Sequence, residues 1–407
     1  MDVNKKKLLN LFYIFLSVHL ITWTIVPALV NNNLPLDVIE ALAWGSNLDW
    51  GFNKHPPGSA FFPELFFILF GPQDWAYYLL SQIFVIISFY IVFKLSIEFL
   101  NDIKLSLISV LILESIFYYN FTTPEFNVNV AQLPFWAATV YLAWKVFENN
   151  NPNIIYLILI GFTATAGLLS KYLFVYILLS IFLFFSYFMF ILKKKKFQFK
   201  YLISVEVFLI LLIPHLIWLS NNDYVTITYG LARSGLDVGA LSDHFINPIK
   251  LILKQFVILI PFFGLSLILV KKIKIKINLN DKKLLYLIFI NVLPLILILT
   301  TSMLTGSKIR TMWMTPFYLF LGLLMVYLFK KQIIIRKFNK FIFLISFLFL
   351  LSPALYGYVS ILKDDKRTDY PGKKIAQKVQ IEWDQNFDEP IGFVIGDEWK
   401  AGNLSYH

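Results

Sequence analysis

The stretch that decides the fold is LLNLFYIFLSVHLITWTIVPALV, residues 8–30. An α-helix rises about 1.5 Å per residue, so about 20 apolar residues cross a hydrocarbon core about 30 Å thick. The run is continuous and does not alternate, which favours a membrane-spanning helix over a barrel strand. It is too long for a secretory signal and lacks a small-residue cleavage site. The first run is therefore predicted to remain in the membrane.

Runs of the same kind recur along the chain, which has 407 residues, 58% of them apolar and 15% charged. A soluble domain is nearer half apolar and a quarter charged. The pattern predicts an all-α polytopic membrane protein with a transmembrane domain over residues 1–362, surrounded by membrane lipids. About eleven spans are expected, near 8–30, 76–99, 105–120, 128–147, 154–170, 172–192, 201–219, 252–270, 284–302, 312–329 and 341–362.

Blocks of lysine between these runs predict the orientation. The blocks are residues 5–7, 193–200, 271–283 and 330–340. Cytoplasmic loops carry an excess of Lys and Arg, and one orientation places every block on that side. An odd number of spans then leaves the amino end in the cytoplasm and the tail outside. The mixed charges of the outer loops have no such role, so chemistry is expected on the outer face.

The tail, residues 363–407, changes character. Pro371 suits the first turn of a helix, predicted over 373–387, and residues 391–395 resemble a short strand. A lone strand is not stable. We expect the tail to be the start of an incomplete α/β domain that faces the periplasm.

Composition also excludes several classes of function. The chain has no cysteine, which excludes disulfides and thiolate metal sites. Its net charge of +11 lies in short blocks at span ends, so no nucleic-acid partner is predicted. Phosphate-binding glycine loops and paired-histidine metal motifs are missing from the sequence, and ATP-driven transport has no support.

The first outer loop contains Asp37 and Glu40, three residues apart and therefore on one face of a helix. Both carboxylates border the bilayer and are candidate catalytic groups. The alternative is an interfacial helix with Asp37 as its cap and nearby tryptophans in the aromatic belt. The sequence leaves both interpretations open.

The same loop continues as Lys54-His55-Pro56-Pro57. Two consecutive prolines make a rigid turn, which presents Lys54 and His55 at the membrane surface. An anionic headgroup or phosphate is the natural ligand of such a pair. A plain turn with a snorkelling lysine is the alternative.

Four further charged residues are predicted at the outer face: Glu125, Lys171, Lys308 and Arg310. Glu125 suits a helix first turn, although the polar residues that follow it exceed what a cap requires. Lys171 joins two spans with almost no loop, and charges at that depth are expensive, so a functional role is favoured over snorkelling. Arg310 could bind a phosphate with two parallel hydrogen bonds.

His215 and Trp218, near the outer end of one span, are weaker candidates. A satisfied core histidine explains His215 better than a role in a site.

Acids and cations gathered at one membrane face suit a sugar linked to a polyprenyl phosphate. A carboxylate would take the proton from an acceptor hydroxyl, which is worth about 10²–10⁴-fold. Lys and Arg would neutralise the departing phosphate. Because these cations are built in, no cofactor is required; a divalent metal is compatible, but no ligand pattern supports one.

Several strings also carry a resemblance: LDVIEALAWG, KHPPG, TPEFNVNVAQLPFW, GLLSKY, PHLIWLSNNDY and YPGKKIA. Together they resemble the protein mannosyltransferase-like GT-C glycosyltransferases, which include the aminoarabinose transferases of lipid A. The closest type is the bacterial lipid A and core galacturonosyltransferases. The resemblance runs along essentially the whole chain and implies a GT-C-like bundle.

The resemblance implies roles for individual residues. Asp37 would be the catalytic carboxylate and Glu125 the acid of the second loop. The family often has adjacent acids where Asp37 and Glu40 are separated here, so either could be the base. Lys54, His55 and Lys171 would hold donor phosphate or sugar, and Arg310 would join them.

The resemblance implies a glycosyltransferase of the bacterial inner membrane with a periplasmic active site. Its partners would be a polyprenyl-phosphate-linked sugar and an acceptor, lipid A or the lipopolysaccharide core. The alternative is a flippase or transporter of a lipid-linked sugar. Transporters place their charged groups near the midplane, often in paired repeats, whereas these charges lie at span ends.

Overall fold

The structure is a computed structural model that describes residues 3–235 and 240–407. Residues 236–239, in the predicted outer loop 220–250, lie outside the described part. The described part is helical and contains no strand. Its α-helices are α1 (Val3–Val30), α2 (Leu36–Gly45), α3 (Gly58–Phe70), α4 (Asp74–Leu100), α5 (Ile103–Leu111), α6 (Val128–Ala131), α7 (Leu133–Glu148), α8 (Ile154–Ser170), α9 (Val175–Ser186), α10 (Leu202–Asn221), α11 (Val225–Arg233), α12 (Asp243–Ile258), α13 (Ile260–Leu269), α14 (Lys282–Asn291), α15 (Leu293–Thr305), α16 (Leu321–Phe329), α17 (Phe338–Leu362), α18 (Gly372–Asn386) and α19 (Lys400–Tyr406).

Helical structure covers the predicted spans, which confirms an all-α polytopic membrane protein. Six described helices are long and apolar enough to cross a membrane, or eight if each bent pair counts as one span. The pairs bend by 50° between α12 and α13 and by 49° before α16. Prolines begin α13 and α15, where a missing N–H and a ring clash interrupt the helix. The number eleven stays a prediction.

Two local features were not predicted. The span predicted over 105–120 is an α-helix only as far as Leu111 and continues as 3₁₀ turns, Ile112–Ser115 and Phe117–Tyr119. The outer loop predicted over 31–75 contains a 13-residue apolar helix, α3. That helix is about 20 Å long and too short to cross the hydrocarbon core. Its apolar run was therefore too short to be recognised as a span from the sequence.

The lysine blocks meet at one end of the bundle. The Lys195 ammonium donates to the carbonyls of Phe147 and Asn149 at 2.6 and 2.7 Å. Lys337 donates to the carbonyl of Ile268 at 2.9 Å. These contacts satisfy carbonyls left free at helix ends. α1 begins at this end and finishes beside α2 at the other, so the lysine blocks and the outer-loop candidates occupy opposite ends.

The tail packs on the end of the bundle that carries the candidate residues Asp37 and Glu40. α19 lies against α2, where a Cβ on Gly402 would stand 2.9 Å from Ile39 Cγ2. Tyr406 donates to Asp74 Oδ1 at 2.6 Å. The helix predicted over 373–387 is confirmed as α18. The strand predicted over 391–395 does not form, because no described segment pairs with it.

Candidate functional site

α2 lies at the end of the bundle opposite to the lysine blocks and carries both predicted carboxylates, Asp37 and Glu40. Val38, Ile39 and Leu42 are buried beneath it, so the helix is anchored by its apolar face. Its N-cap is Pro35, with no side-chain capping bond. The cap interpretation of Asp37 is therefore wrong, and its carboxylate accepts no hydrogen bond from the residues that the structure describes.

Glu125 meets the start of α2. Its Oε1 accepts a hydrogen bond from the backbone N–H of Asp37 at 3.2 Å. Asn127 caps α6, accepting from the N–H groups of Asn129 and Val130 at 2.8 and 3.3 Å. The capping explanation of Glu125 is therefore wrong as well: Glu125 lies before the cap and points to Asp37.

The pKa values of both carboxyls, Asp37 and Glu125, are raised. Burial raises the pKa of Glu125 to about 8, and the neighbouring charge of Asp37 adds to the rise. Burial and the charge of Glu40 raise the pKa of Asp37, whereas Lys171 and Arg367 oppose the rise. Burial and like charge both disfavour the ionised form of a carboxyl, so Glu125, with a pKa of about 8, is mainly protonated at neutral pH.

Glu40 has a different environment. It is buried and forms an ion pair with Lys54, whose Nζ lies 2.8 Å from Glu40 Oε1. The same ammonium lies 3.4 Å from Glu398 Oε1, contributed by the tail. Although burial opposes it, hydrogen bonding to Glu40 raises the pKa of Lys54. Of the two predicted bases, Asp37 has the carboxylate without such a partner.

The loop before Lys54 is fastened to α10 and α11. His215 Nδ1 lies 2.6 Å from the carbonyl of Trp50, and its Nε2 lies 2.7 Å from the hydroxyl of Tyr172. Thr226 donates to the carbonyl of Phe52 at 2.6 Å. His215 is thus a satisfied core histidine, as predicted, and it holds the loop in place.

Because Gly51 has no side chain, the loop can pack closely against α10. A Cβ at Gly51 would lie 2.2 Å from Trp218 Cε3. The indole packs directly on the glycine and donates to Asp49 Oδ2 at 2.7 Å. Trp218 is therefore a packing residue of the loop.

His55 faces the narrow cleft that Asp37, Glu40 and Asn127 also line. Its ring is edge-on to Trp44 and to Tyr229, with centroids 5.9 and 6.4 Å apart. Burial and the charges of Lys171 and Lys54 lower the pKa of His55 to about 3. The imidazole is therefore neutral at physiological pH and can exchange hydrogen bonds with a polar ligand.

Lys171 is buried in the turn after α8. Its ammonium donates to Asn129 Oδ1 and lies 5.0 Å from the ring centroid of Trp313. Burial lowers the pKa of Lys171, and the charge of Asp37 counters the shift. α3 approaches the same turn closely, because a Cβ on Gly58 would stand 2.9 Å from the carbonyl oxygen of Leu169. These contacts exclude a snorkelling lysine.

Lys308 and Arg310 do not join this cluster in the structure. Both side chains are exposed, and neither forms an ion pair within residues 3–235 and 240–407. The backbone N–H of Lys308 donates to the carbonyl of Ser234 at 2.8 Å. Arg310 is tied to the site only through its carbonyl, which accepts from the N–H of Trp313 at 3.0 Å.

Sequence reasoning missed four residues of this region: Asn129, Trp313, Arg367 and Glu398. Arg367 follows α17, and its positive charge lowers the pKa values of Asp37 and Glu125. Glu398 comes from the tail. Only Asn129 could have been recognised from the sequence, because it is a polar residue at the start of a predicted span. The other three reach the site from segments that are distant along the chain. The residues described contain no group of three or more metal-ligating side chains suited to a metal ion.

Comparison with known proteins adds two findings. Residues 54–218 match the family described as dolichyl-phosphate-mannose-protein mannosyltransferase. The crystal structure of ArnT from Cupriavidus metallidurans bound to undecaprenyl phosphate is similar in fold, with a TM-score of 0.60 and 9% identity over 96% of this chain and 74% of that chain. Its apo form gives 0.58, again at 9% identity, over 96% and 73%. A search of curated proteins finds no match to the sequence.

The family match covers the segment with Lys54, His55, Glu125 and Lys171, while the fold similarity covers nearly the whole chain. The two findings together confirm the resemblance of this polytopic membrane protein to the protein mannosyltransferase-like GT-C superfamily.

Proposed function

We propose that this protein is a membrane glycosyltransferase that moves a sugar from a polyprenyl phosphate to an acceptor at the outer face. The observation that carries the proposal is the position of Asp37. Its carboxylate is unpaired in a cleft, with Glu125 on one side and the cations Lys54 and Lys171 nearby. A base next to phosphate-binding cations is the arrangement that such a transfer needs.

The proposed reaction is a substitution at the anomeric carbon of the donor sugar. The bond from that carbon to the phosphate oxygen breaks, and a bond to the acceptor oxygen forms. The acceptor proton goes to Asp37. With a pKa of about 8, Glu125 is mainly protonated at neutral pH, so Asp37 is the carboxyl proposed to take the proton.

Lys54 and Lys171 would bind the donor phosphate. The phosphodiester carries one negative charge, and the departing phosphomonoester carries up to two. That charge favours the ammonium form of Lys171 against the effect of burial, and both lysines stabilise the charge that develops. Lys171 is already buried and held by Asn129 and Trp313. Little reorganisation is then required when the phosphate arrives. His55, neutral in the same cleft, would donate to or accept from the sugar.

The proposed acceptor is lipid A or the lipopolysaccharide core, and the proposed location is the bacterial inner membrane with the site facing the periplasm. The resemblance of several sequence strings to transferases of lipid A supports the acceptor. The position of the lysine blocks, at the end of the bundle opposite to Asp37, supports the orientation. The similar ArnT structure contains undecaprenyl phosphate, which supports a polyprenyl phosphate as the carrier.

Mass spectrometry of lipid A and core from strains with and without the gene tests the proposal. We expect one sugar to be lost from lipid A or core, and restored by the wild-type protein but not by Asp37→Asn. The membranes should also transfer sugar from an added polyprenyl-phosphate donor. Unchanged lipid A and core would refute the acceptor.

A flippase or transporter is separated from the transferase in sealed vesicles. A flippase moves the lipid-linked sugar across the bilayer and leaves its glycosidic bond intact, whereas the transferase releases polyprenyl phosphate. Release of free polyprenyl phosphate that depends on Asp37 is the expected result. Movement without cleavage would replace the proposal by the transporter.

A further inference from the structure

A second polar groove lies at the same end of the bundle, away from Asp37. It runs between the outer half of α1 and the start of α4, and the tail closes its upper end. Its volume is about 750 Å³, within the range of about 300–1,000 Å³ that ligand sites occupy. The proposed transfer chemistry uses none of its residues.

The lower part of the groove is apolar and open to the bilayer. Ile25 is 48% exposed and Leu29 is 78% exposed. Both belong to a membrane-spanning helix, so these apolar side chains are positioned to contact lipid. Thr24 lies on the same wall, and its hydroxyl is buried without a hydrogen-bond partner among the described residues. A buried hydroxyl without a partner is costly, and Thr24 forms the inner wall of the groove.

The upper part of the groove carries two opposite charges. Lys373 is exposed and forms no ion pair with another described residue. Asp74 also has no ion-pair partner there, and its Oδ1 accepts from Tyr406 at 2.6 Å. Both charges act on His407 between them. The upper end therefore offers one cation and one anion that do not neutralise each other directly.

Thr24 and Asn32 are eight residues apart on α1 and its end, so the groove extends about 12 Å from its polar rim toward the bilayer interior. Trp75 lies at the rim and is 42% exposed, a position typical of the aromatic belt at the membrane interface. The polar rim thus lies at headgroup level and the apolar wall at acyl-chain level.

We propose that this groove binds a zwitterionic phospholipid with a primary ammonium in its headgroup, that is, a phosphatidylethanolamine. Lys373 binds the lipid phosphate and Asp74 binds the ammonium. One acyl chain lies along Ile25 and Leu29. An anionic lipid would place a net negative charge beside Asp74, and a choline headgroup would offer Asp74 no N–H donor.

Native mass spectrometry of the purified full chain tests this assignment. The protein is mixed with equal amounts of dioleoyl phosphatidylethanolamine, phosphatidylcholine and phosphatidylglycerol. We expect the phosphatidylethanolamine adduct to be about tenfold more abundant than the others, as one charge-assisted hydrogen bond provides. Asp74→Asn should remove that preference, and Lys373→Gln should weaken the binding of all three lipids.

Two further variants keep the test decisive. Lys374→Gln makes the same change of charge one residue away, outside the groove lining, and should leave the adducts unchanged. Leu29→Trp fills the apolar part and should displace every lipid without touching the polar rim. Size-exclusion chromatography checks that each variant is folded.

Phosphatidylglycerol as the preferred adduct, or equal losses from Lys373→Gln and Lys374→Gln, would overturn the proposal. Unchanged adducts in Leu29→Trp would do so as well. None of these readouts depends on sugar transfer, so the result stands apart from the proposed catalytic function.

Discussion

Replacement of Asp37 by asparagine removes the proposed base and leaves the surrounding structure in place. Asp37 contacts Glu125 through its backbone N–H, which asparagine retains. No side-chain capping bond starts α2, so none is lost. The substitution therefore removes a charge and a proton acceptor with little change of shape.

The expected loss follows from the role of the carboxylate. General-base catalysis contributes about 10²–10⁴-fold, which corresponds to about 2.7–5.4 kcal/mol of transition-state stabilisation. Asp37 is the single proposed base of the cleft, because Glu40 is held by Lys54 at 2.8 Å. We expect kcat to fall within that range and KM for the donor to change less than threefold, since the cations that bind phosphate remain.

The assay measures transfer of radiolabelled sugar from a polyprenyl-phosphate donor by purified protein in proteoliposomes. Asp384→Asn is the matched control, because Asp384 is exposed on α18 and bonded only to Gln380. Glu40→Gln provides the internal comparison. It breaks the ion pair with Lys54 and should raise KM for the donor more than it lowers kcat.

Full transfer by Asp37→Asn, with equal protein abundance, would refute the assignment of the base. A reversed pattern, with kcat lost in Glu40→Gln and retained in Asp37→Asn, would move the base to Glu40. Equal loss in the Asp384→Asn control would point to instability instead of chemistry.

The remaining predictions concern the coupled carboxyl, the fastened loop and the orientation. Because Glu125 is proposed to act while protonated, transfer should decline as pH rises through about 8, and Glu125→Gln should retain activity and abolish that alkaline decline in a pH–rate profile. The same raised pKa costs folding stability as pH rises from 4.5 to about 8, so Glu125→Gln should unfold at a higher temperature than wild type at pH 8.5. Gly51→Ala places a Cβ 2.2 Å from Trp218 and should cost about 1–3 kcal/mol in thermal unfolding, whereas Gly264→Ala, with nothing within 4 Å, should be neutral. The chain has no cysteine, so Ser46→Cys, at the exposed residue that follows α2, should react with an impermeant maleimide from the outer face alone, and reaction from the cytoplasm would reverse the topology.

Local patterns predicted most of the architecture because lipid imposes a strong constraint. A backbone in hydrocarbon must satisfy its own hydrogen bonds, so a continuous apolar run such as 8–30 has few alternatives to a helix. The prediction failed where length or continuity gave no signal. α3 was missed because 13 residues resemble neither a span nor a polar loop, and the turns after Leu111 were hidden inside an apolar stretch.

The candidate residues were found by a related argument. Asp37, Glu125 and Lys171 are charges at depths where a charge is expensive, and that cost is visible without a structure. Their partners were not visible. Glu398 lies 344 positions from Lys54 yet approaches it to 3.4 Å, and no local rule relates two positions so far apart. Arg310 had the right residue type and predicted location, but its side chain points away into solvent.

The sequence by itself determined that this chain is a helical membrane protein and that its unusual charges lie at span ends, because hydropathy and charge act over single segments. The tertiary structure decided which charges share a cleft. It paired Glu40 with Lys54 and left the Asp37 carboxylate free, and it turned Glu125 toward α2. The physical reason is that pKa shifts and ion pairs depend on distances between segments and on shared burial, which only the packed bundle defines.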